Sequence, residues 1–220
     1  MSILNIQKIA SLQAKKIIRH CHYAGDRMPG FKHLFGLFDG IDVLGVCGFS
    51  QPASYTLCEG VCGKENKAIV LELSRLVIVG RLRKNLASML VAGSLQQLPK
   101  PSVVVSYADQ NEGHIGYVYQ ATNWIYTGKG NAEPWWYLPN GKLLSKTRRH
   151  IDTKAAAHGL GVSDLRKEPK EGKHRYVYFV GNKRQRRELG NRLKYERKPY
   201  PKGKTVKLGT DEYNETFALF

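Results

Sequence analysis

Polar side chains suited to proton transfer follow an apolar run at residues 103–105. Ser106, Tyr107 and Asp109 end that run, and Tyr119 comes on a short helix-like segment soon after. A carboxylate at the carboxyl end of a strand could accept a proton from a reacting group, and a phenol could donate one. Both also have a structural interpretation, since Asp109 could cap the next helical turn and Tyr119 could be a core aromatic.

A second group of candidate residues lies near the N-terminus, where His20, His22 and Tyr23 follow a predicted helix. One histidine at a helix end is more often structural. Two histidines with a nearby tyrosine and Asp109 would also suit a non-haem metal, with iron the expected identity for redox or alkylating chemistry. The predicted metal ligands are His22 and Asp109.

The charge of the chain is concentrated toward its C-terminus. The sequence holds 35 Lys and Arg against 18 Asp and Glu, and residues 141–207 hold 21 of the basic and 6 of the acidic residues. This segment lacks the apolar face of a membrane-surface helix, so nucleic acid is the expected partner. The predicted DNA-binding residues are Arg148, Arg149, His150, Lys173, His174, Arg175, Lys183, Arg184, Arg186 and Arg187. Tyr176 and Tyr178, interleaved among them, are expected in the core.

Alternating strands and helices must position these residues. The pattern predicts a strand at 3–9, a helix capped by Ser11, a hairpin turning at Asp39 and Gly40, an irregular stretch at 51–67, a long strand at 68–79 containing Arg75, a helix at 85–98, and the strand that ends at Asp109. The four cysteines are expected to be reduced, and buried or incidental. With no run of eighteen apolar residues and no signal peptide pattern, we expect a soluble cytoplasmic protein.

The strand, polar edge, helix and strand at 103–128, with the elements before it, resemble the GNAT acyltransferase fold. Further features extend the resemblance to the Mom family of phage DNA-modifying proteins: the hairpin sequence PNGK at 139–142, KHRYVYFVG from Lys173, and PYPK at 199–202. The predicted fold is α/β, with a GNAT-like mixed central sheet flanked by helices and a basic C-terminal α+β extension. The predicted divisions are a catalytic core at 1–136, a DNA-contacting extension at 137–207 and an acidic tail at 208–220.

The resemblance implies a donor site as well as a catalytic site. Acetyl-coenzyme A or another acyl donor would lie along the strand at 71–79, with its pyrophosphate at the start of the following helix. The turn lacks the usual glycine, so basic side chains would hold phosphate by charge. The implied cofactor-binding residues are Val77, Val79, Arg81, Arg83, Lys84, Asn85 and Ser88. The implied catalytic residues are His22, Tyr23, Arg75, Ser94, Asp109 and Tyr119.

The activity implied by this resemblance is modification of the N6 amine of adenine in duplex DNA. The added group is of the carbamoylmethyl type, and it protects phage DNA from restriction in the host cytoplasm. Two other functions stay open from the residues themselves. One is a conventional GNAT N-acetyltransferase acting on a protein or small amine, and the other is a non-catalytic DNA-binding protein that reuses the fold.

Overall fold

The computed structural model describes residues 4–22, 28–79 and 84–203. The strands are β1 (Leu4–Lys8), β2 (Phe31–Asp39), β3 (Asp42–Ser50), β4 (Val70–Ile78), β5 (Ser102–Ala108), β6 (Ile125–Lys129), β7 (Trp135–Tyr137), β8 (Leu143–Ser145), β9 (Arg166–Glu168) and β10 (His174–Val180). The helices are α1 (Ser11–Cys21), α2 (Tyr55–Cys62), α3 (Leu86–Gln96), α4 (Tyr117–Ala121), α5 (Ile151–Ala156) and α6 (Lys183–Arg192).

The main sheet of the described residues has the order β1-β2-β3-β4-β5-β10-β6. Only β4 and β5 run parallel, and the other neighbours are antiparallel. Helices α3 and α4 contribute to one hydrophobic cluster on the sheet, and α1, α2 and α6 contribute to two others. The mixed sheet flanked by helices that the sequence predicts is therefore confirmed.

Two local predictions were wrong. Helix α1 buries Ala14, Ile17 and Ile18 as its spacing predicts, but the N-cap is Ala10 and Ser11 is already helical. Residues 51–67 are not irregular, because they contain α2 and a 3-10 helix. The side chain of Ser54 accepts a hydrogen bond from Leu57 N and caps α2. Ser54 was therefore the sequence signal for the start of α2, but the glycines and cysteines that follow it made a helix hard to predict.

Strands β4 and β5 pair along only part of their length. Their register runs from Val70 opposite Val103 to Glu72 opposite Val105 and then stops. In the same region β4 carries a bulge against β3, since Leu73 pairs with Phe49 and Arg75 with Gly48, leaving Ser74 between them. An extra residue bends a strand and changes the direction of its side chains. The two strands therefore form a fork whose open end contains the polar residues that follow β5.

The basic C-terminal region contributes directly to the main sheet. Strand β10 lies between β5 and β6, with His174 opposite Ala108 and Val180 opposite Ser102. Tyr176 is fully buried and Tyr178 is half-buried, which confirms their predicted place in the core. The expected boundary at residue 136 falls inside β7, and part of the expected extension is thus an inner strand of the sheet.

Strands β8, β7 and β9 form a second sheet of three strands. The β7–β8 connection is the predicted hairpin, closed by a hydrogen bond from Leu138 N to Lys142 O. Its core packs Trp136 and Leu138 against α5, through Ile151 and Ala155. None of the helices within 4–22, 28–79 and 84–203 has the length and apolar content needed to cross a membrane.

Candidate active site

A cleft of about 300 Å³ opens at the fork between β4 and β5. It brings together His22 from the end of α1, Arg75 from the bulged strand, Asp109 from the end of β5 and Tyr119 from α4. These four residues come from positions spread over almost a hundred residues of sequence. The sequence nominates all of them as catalytic, and the fold makes them neighbours in one pocket.

Tyr119 is held by a buried serine. Ser106 Oγ lies 2.8 Å from the Tyr119 hydroxyl and 2.8 Å from the carbonyl oxygen of Leu73. A carbonyl only accepts hydrogen bonds, so when the serine proton goes to Leu73 O, the phenol can donate its own proton to Ser106 Oγ. The Tyr119 ring also packs against Trp124 and Tyr176, with centroids 5.0 and 5.1 Å away. The phenol is therefore fixed at the closed end of the fork.

Asp109 is both a helix cap and a charged residue of the cleft. Its Oδ1 accepts hydrogen bonds from Asn111 N and Nδ2, and its Oδ2 lies 2.8 Å from Lys173 Nζ. Burial raises the pKa of Asp109, but the contacts with Lys173 and Asn111 outweigh it and keep the pKa below its ordinary value. The carboxylate is ionised at neutral pH, and both of its oxygens are engaged.

His22 is a neutral imidazole at neutral pH. Burial, followed by the nearby charges of Arg75, His114 and Lys173, lowers its pKa to about 4. The backbone N–H of His22 donates to Ile18 O and closes α1, so the helix places the backbone of His22 at the cleft. A neutral imidazole has a lone pair that can accept a proton or a hydrogen bond.

The predicted iron site at His22 and Asp109 does not fit this arrangement. Over the residues that the structure describes, no group of three or more His, Cys, Asp or Glu side chains could hold a metal ion. The oxygens of Asp109 already bind Lys173 and Asn111, and the cations that lower the pKa of His22 would also repel a metal ion. No catalytic step is therefore assigned to a metal.

Two further ionisable groups adjoin the cleft. Burial raises the pKa of Glu72, although Arg75 and Lys173 act in the opposite direction. Burial, together with the charge of Glu72, raises the pKa of Tyr107 to about 12.

Arg75 donates from Nη1 to the carbonyl of Ser74, 2.6 Å away, at the bulge. Arg75 therefore supplies a fixed positive charge at the mouth of the fork.

The other predicted catalytic and donor-site residues fall in different places. Ser94 is fully buried on α3, its hydroxyl has no hydrogen-bond partner among the described residues, and it is not part of the cleft lining. Tyr23, Arg81 and Arg83 lie outside the described residues.

Cys58 and Cys62 are buried free thiols of the hydrophobic core, as expected.

The region predicted to hold the donor has features suited to an extended anionic thioester. Beyond Glu72 the edge of β4 that faces β5 is no longer paired with it, and the cleft continues along Ile78 to Ala87 at the start of α3. Two predicted donor-site residues do not lie on this open edge: Val77 is buried against α1 with its carbonyl oxygen beside Gly45 of β3, and Val79 N donates to Leu44 O of β3. Asn85 adopts the left-handed conformation before α3, and no side chain from the described part of the chain caps the helix. The uncapped N–H groups suit a phosphate, with Lys84 and Ser88 exposed or partly exposed beside them.

The predicted DNA-binding residues divide into three groups: one before α5, one on α6, and one at residues 173–175, at the start of β10. Arg148, Arg149 and His150 are exposed before α5, and Lys183, Arg184, Arg186 and Arg187 are exposed on α6. His174 is buried and bonds the Tyr126 hydroxyl, so its side chain belongs to the sheet and not to the basic surface. Arg175 bonds Thr127 and lies over the Tyr195 ring. Lys173 pairs with Asp109 at the cleft.

Two residues make contacts at the cleft that the sequence does not predict. The sequence marks Ser106 only as a polar residue at a strand end, and its contact with Tyr119 depends on how α4 packs over β5. The sequence predicts only DNA contact for Lys173, and it meets Asp109 because β10 pairs beside β5. A polar residue within an apolar strand was the available signal for Ser106. Nothing in the sequence pairs Lys173 with Asp109.

Comparisons with known proteins point to one family. The chain matches the Mom protein family over residues 3–202. It is 26% identical over 206 residues to the methylcarbamoylase mom of Escherichia phage Mu, covering 90% of this chain and 84% of that protein. Similar solved structures include yncA of Salmonella typhimurium, an acetyltransferase with its cofactor acetyl-CoA, at 11% identity, 81% and 95% coverage and a TM-score of 0.48. An N-acetyltransferase from Staphylococcus aureus has 11% identity, 81% and 99% coverage and a TM-score of 0.47.

Proposed function

Because this chain belongs to the Mom protein family, we propose that it is a transferase that modifies the N6 amine of adenine in duplex DNA. The product carries a carbamoylmethyl-type group, which protects phage DNA from host restriction. The observation that carries the proposal is the convergence of His22, Arg75, Asp109 and Tyr119 on one cleft at the β4–β5 fork. A neutral base, a fixed cation, a carboxylate and a phenol are the groups that transfer to a weakly nucleophilic amine requires.

The donor is acetyl-coenzyme A or another acyl thioester, whose carbonyl carbon passes to the amine as its thiolate departs. That step by itself forms an N-acyl adenine, and the methylene–nitrogen bond of a carbamoylmethyl product requires a donor with an activated methylene carbon instead. The open edge of β4 would hold the extended arm by backbone hydrogen bonds, as a strand partner does. The N–H groups at the uncapped start of α3 would hold the pyrophosphate, assisted by Lys84. Arg81 and Arg83 belong to the same proposed phosphate site. The arm then ends beside Tyr119 in the fork.

His22 accepts the proton that the amine loses. The lone pair of the adenine amine is delocalised into the ring, so the proton leaves late, when the nitrogen has gained positive charge and has become strongly acidic. A base with a pKa of about 4 is sufficient at that stage, and His22 is neutral and ready to accept at neutral pH. Asp109 is a weaker candidate for the base because Lys173 and Asn111 occupy both oxygens. Its role is to orient Lys173 and the loop at the cleft.

Tyr119 protonates the departing thiolate. As the bond from the donor carbon to sulfur breaks and the bond to the adenine nitrogen forms, the phenol proton passes to sulfur. Ser106 can then turn its proton from Leu73 O to the phenolate, 2.8 Å away, without moving its heavy atoms. A hydrogen-bond donor already in position stabilises charge where it develops.

The test is to express the protein with a plasmid in bacteria, digest the recovered DNA to nucleosides and weigh them by mass spectrometry. A heavier adenosine is expected, and its mass increment distinguishes a carbamoylmethyl group from an acyl group. Tyr119→Phe and Asp109→Ala are expected to reduce it, with soluble expression as the control. Unmodified DNA beside acetylation of a peptide amine would indicate a conventional acetyltransferase. Unmodified DNA, with undiminished DNA binding by both variants, would indicate a non-catalytic binding protein.

A further inference from the structure

One surface of the second sheet combines aromatic rings with cations. Lys146 Nζ and Lys170 Nζ lie 4.1 and 4.6 Å from the centroid of the Trp135 ring, and the Arg166 guanidinium lies 4.3 Å from that of Tyr137. We call these five residues the aromatic-basic face. Cation–π contacts orient a charged group without neutralising it, unlike an ion pair.

The aromatic-basic face is the outer side of its sheet. Side chains alternate along β7, so Trp135 and Tyr137 point away from Trp136, which is buried in the cluster with α5. The Arg166 side chain is 59% exposed, and no helix of the described residues covers this side in the hydrophobic clusters. Two carboxylates pair with the three cations of the face: Glu168 with Lys170 and Arg166, and Glu112 with Lys146. It therefore keeps a positive excess.

Several contacts join this surface to the rim of the cleft. Lys146 pairs with Glu112 at 3.0 Å, and Glu112 belongs to the 3-10 turn that Asp109 caps. From the same turn, Asn111 Nδ2 donates to Glu171 O, directly after Lys170. Lys146, which lies over the Trp135 ring, is thus in direct contact with the turn that follows Asp109 at the cleft.

Helix α6, which carries the densest basic sequence, lies toward the other end of the sheet. It begins just after Val180, which pairs with Ser102, whereas the cleft lies beyond Ala108, which pairs with His174. The six steps between these pairs correspond to roughly 20 Å at about 3.3 Å per residue. The aromatic-basic face is therefore nearer to the reacting base than the Arg184 to Arg187 cluster.

We propose that the aromatic-basic face binds the sugar-phosphate backbone of duplex DNA beside the target base. This inference rests on the proposed function, since it assumes a DNA acceptor, and it names the surface that presents that acceptor to the cleft. Ammonium and guanidinium groups oriented by rings match a phosphate backbone, which carries one charge at short, regular intervals on each strand. Phosphate contacts of this kind fix the position of the duplex and do not read its sequence.

The experiment compares two variants that each lose three positive charges. The face variant carries Lys146→Gln, Arg166→Gln and Lys170→Gln, and the matched control carries Arg184→Gln, Arg186→Gln and Arg187→Gln on α6. Binding to a short fluorescein-labelled duplex is measured by fluorescence anisotropy over a range of salt concentrations. Each phosphate contact contributes about 0.9 to the slope of log K against log salt. The face variant is expected to reduce the slope by about 2 to 3. The α6 residues are also predicted from the sequence to bind DNA, but they lie farther from the cleft, so the α6 variant is expected to reduce the slope by less than about 1.

An unchanged slope in the face variant, or equal changes in both variants, would overturn the inference, because equal changes report only the total charge. A single Arg166→Gln variant, at the most exposed of these positions, guards against misfolding and is expected to reduce the slope by about 1. If the unaltered protein binds no duplex DNA at low salt, the proposed function fails as well. If it binds DNA and only the face variant behaves like the unaltered protein, the proposed function stands and this inference alone fails.

Discussion

Replacing Ser106 with alanine is expected to slow base modification by acting on Tyr119. The substitution removes the hydroxyl that lies 2.8 Å from the phenol and leaves no donor for the phenolate that forms when Tyr119 gives up its proton. A hydrogen bond to a charged group contributes about 1.5–3 kcal/mol, so the expected loss of rate is roughly 10- to 150-fold.

The same substitution also destabilises the protein, and this effect must be separated from the first. Ser106 is 1% exposed, and its loss leaves the buried carbonyl of Leu73 without the serine proton. An unsatisfied buried acceptor costs about 1–3 kcal/mol of folding free energy. Thermal unfolding measures this cost, and the modification rate is then expressed per folded molecule.

A double-mutant cycle with Tyr119→Phe isolates the contact. Initial rates are taken from the fraction of modified adenosine in plasmid DNA, by mass spectrometry of nucleosides. In the Tyr119→Phe background, Ser106→Ala is expected to have little further effect on rate, because the phenol is already absent. Ser106→Thr keeps a hydroxyl on Cβ and is expected to recover most of the rate. The reasoning is refuted if Ser106→Ala costs the same factor in both backgrounds, or if Ser106→Thr is as slow as Ser106→Ala.

Three further predictions concern the cleft and its supports. His22 has a pKa of about 4, so its ring is expected to stay neutral in an NMR titration until the pH is well below 6.5, the ordinary histidine pKa. Because the unfolded chain takes up this proton first, the free energy of unfolding should fall as the pH drops from 6.5 to 4. A His22 titration at the ordinary pKa would contradict this prediction. Lys173→Met removes the partner of buried Asp109, so the carboxyl pKa, followed by NMR, should rise and the melting temperature at neutral pH should fall; an unchanged pKa would refute the role of the pair. Gly116→Ala places a methyl group on a backbone with φ of +80° and against a buried tyrosine ring of β10, whereas Gly40→Ala has φ of +61° and open space. The first should lower the free energy of unfolding by about 1–3 kcal/mol more than the second in denaturant titrations, and equal losses would exclude the clash as the cause.

Local patterns were sufficient for much of the fold. Apolar spacing predicted α1, the β2–β3 hairpin and the long strand β4, because periodicity reports which face of an element is buried. The same reasoning missed α2, where glycine and two cysteines hide a helix that is stabilised by its cap and by burial of Cys58 and Cys62. Tertiary packing overrides weak local preference at such a segment.

The sequence by itself determined which side chains of the cleft are candidates for its chemistry. Asp109 at a strand end, Tyr119 on the next helix and Arg75 within an apolar strand are unusual enough in their local setting to be chosen without a structure. Their proximity, the fork and the depressed pKa of His22 were decided only by tertiary structure. Strand β10 illustrates the reason: it pairs beside β5 across more than sixty residues of chain and delivers Lys173 to Asp109. Strand order depends on the burial of whole faces, and no local pattern encodes it.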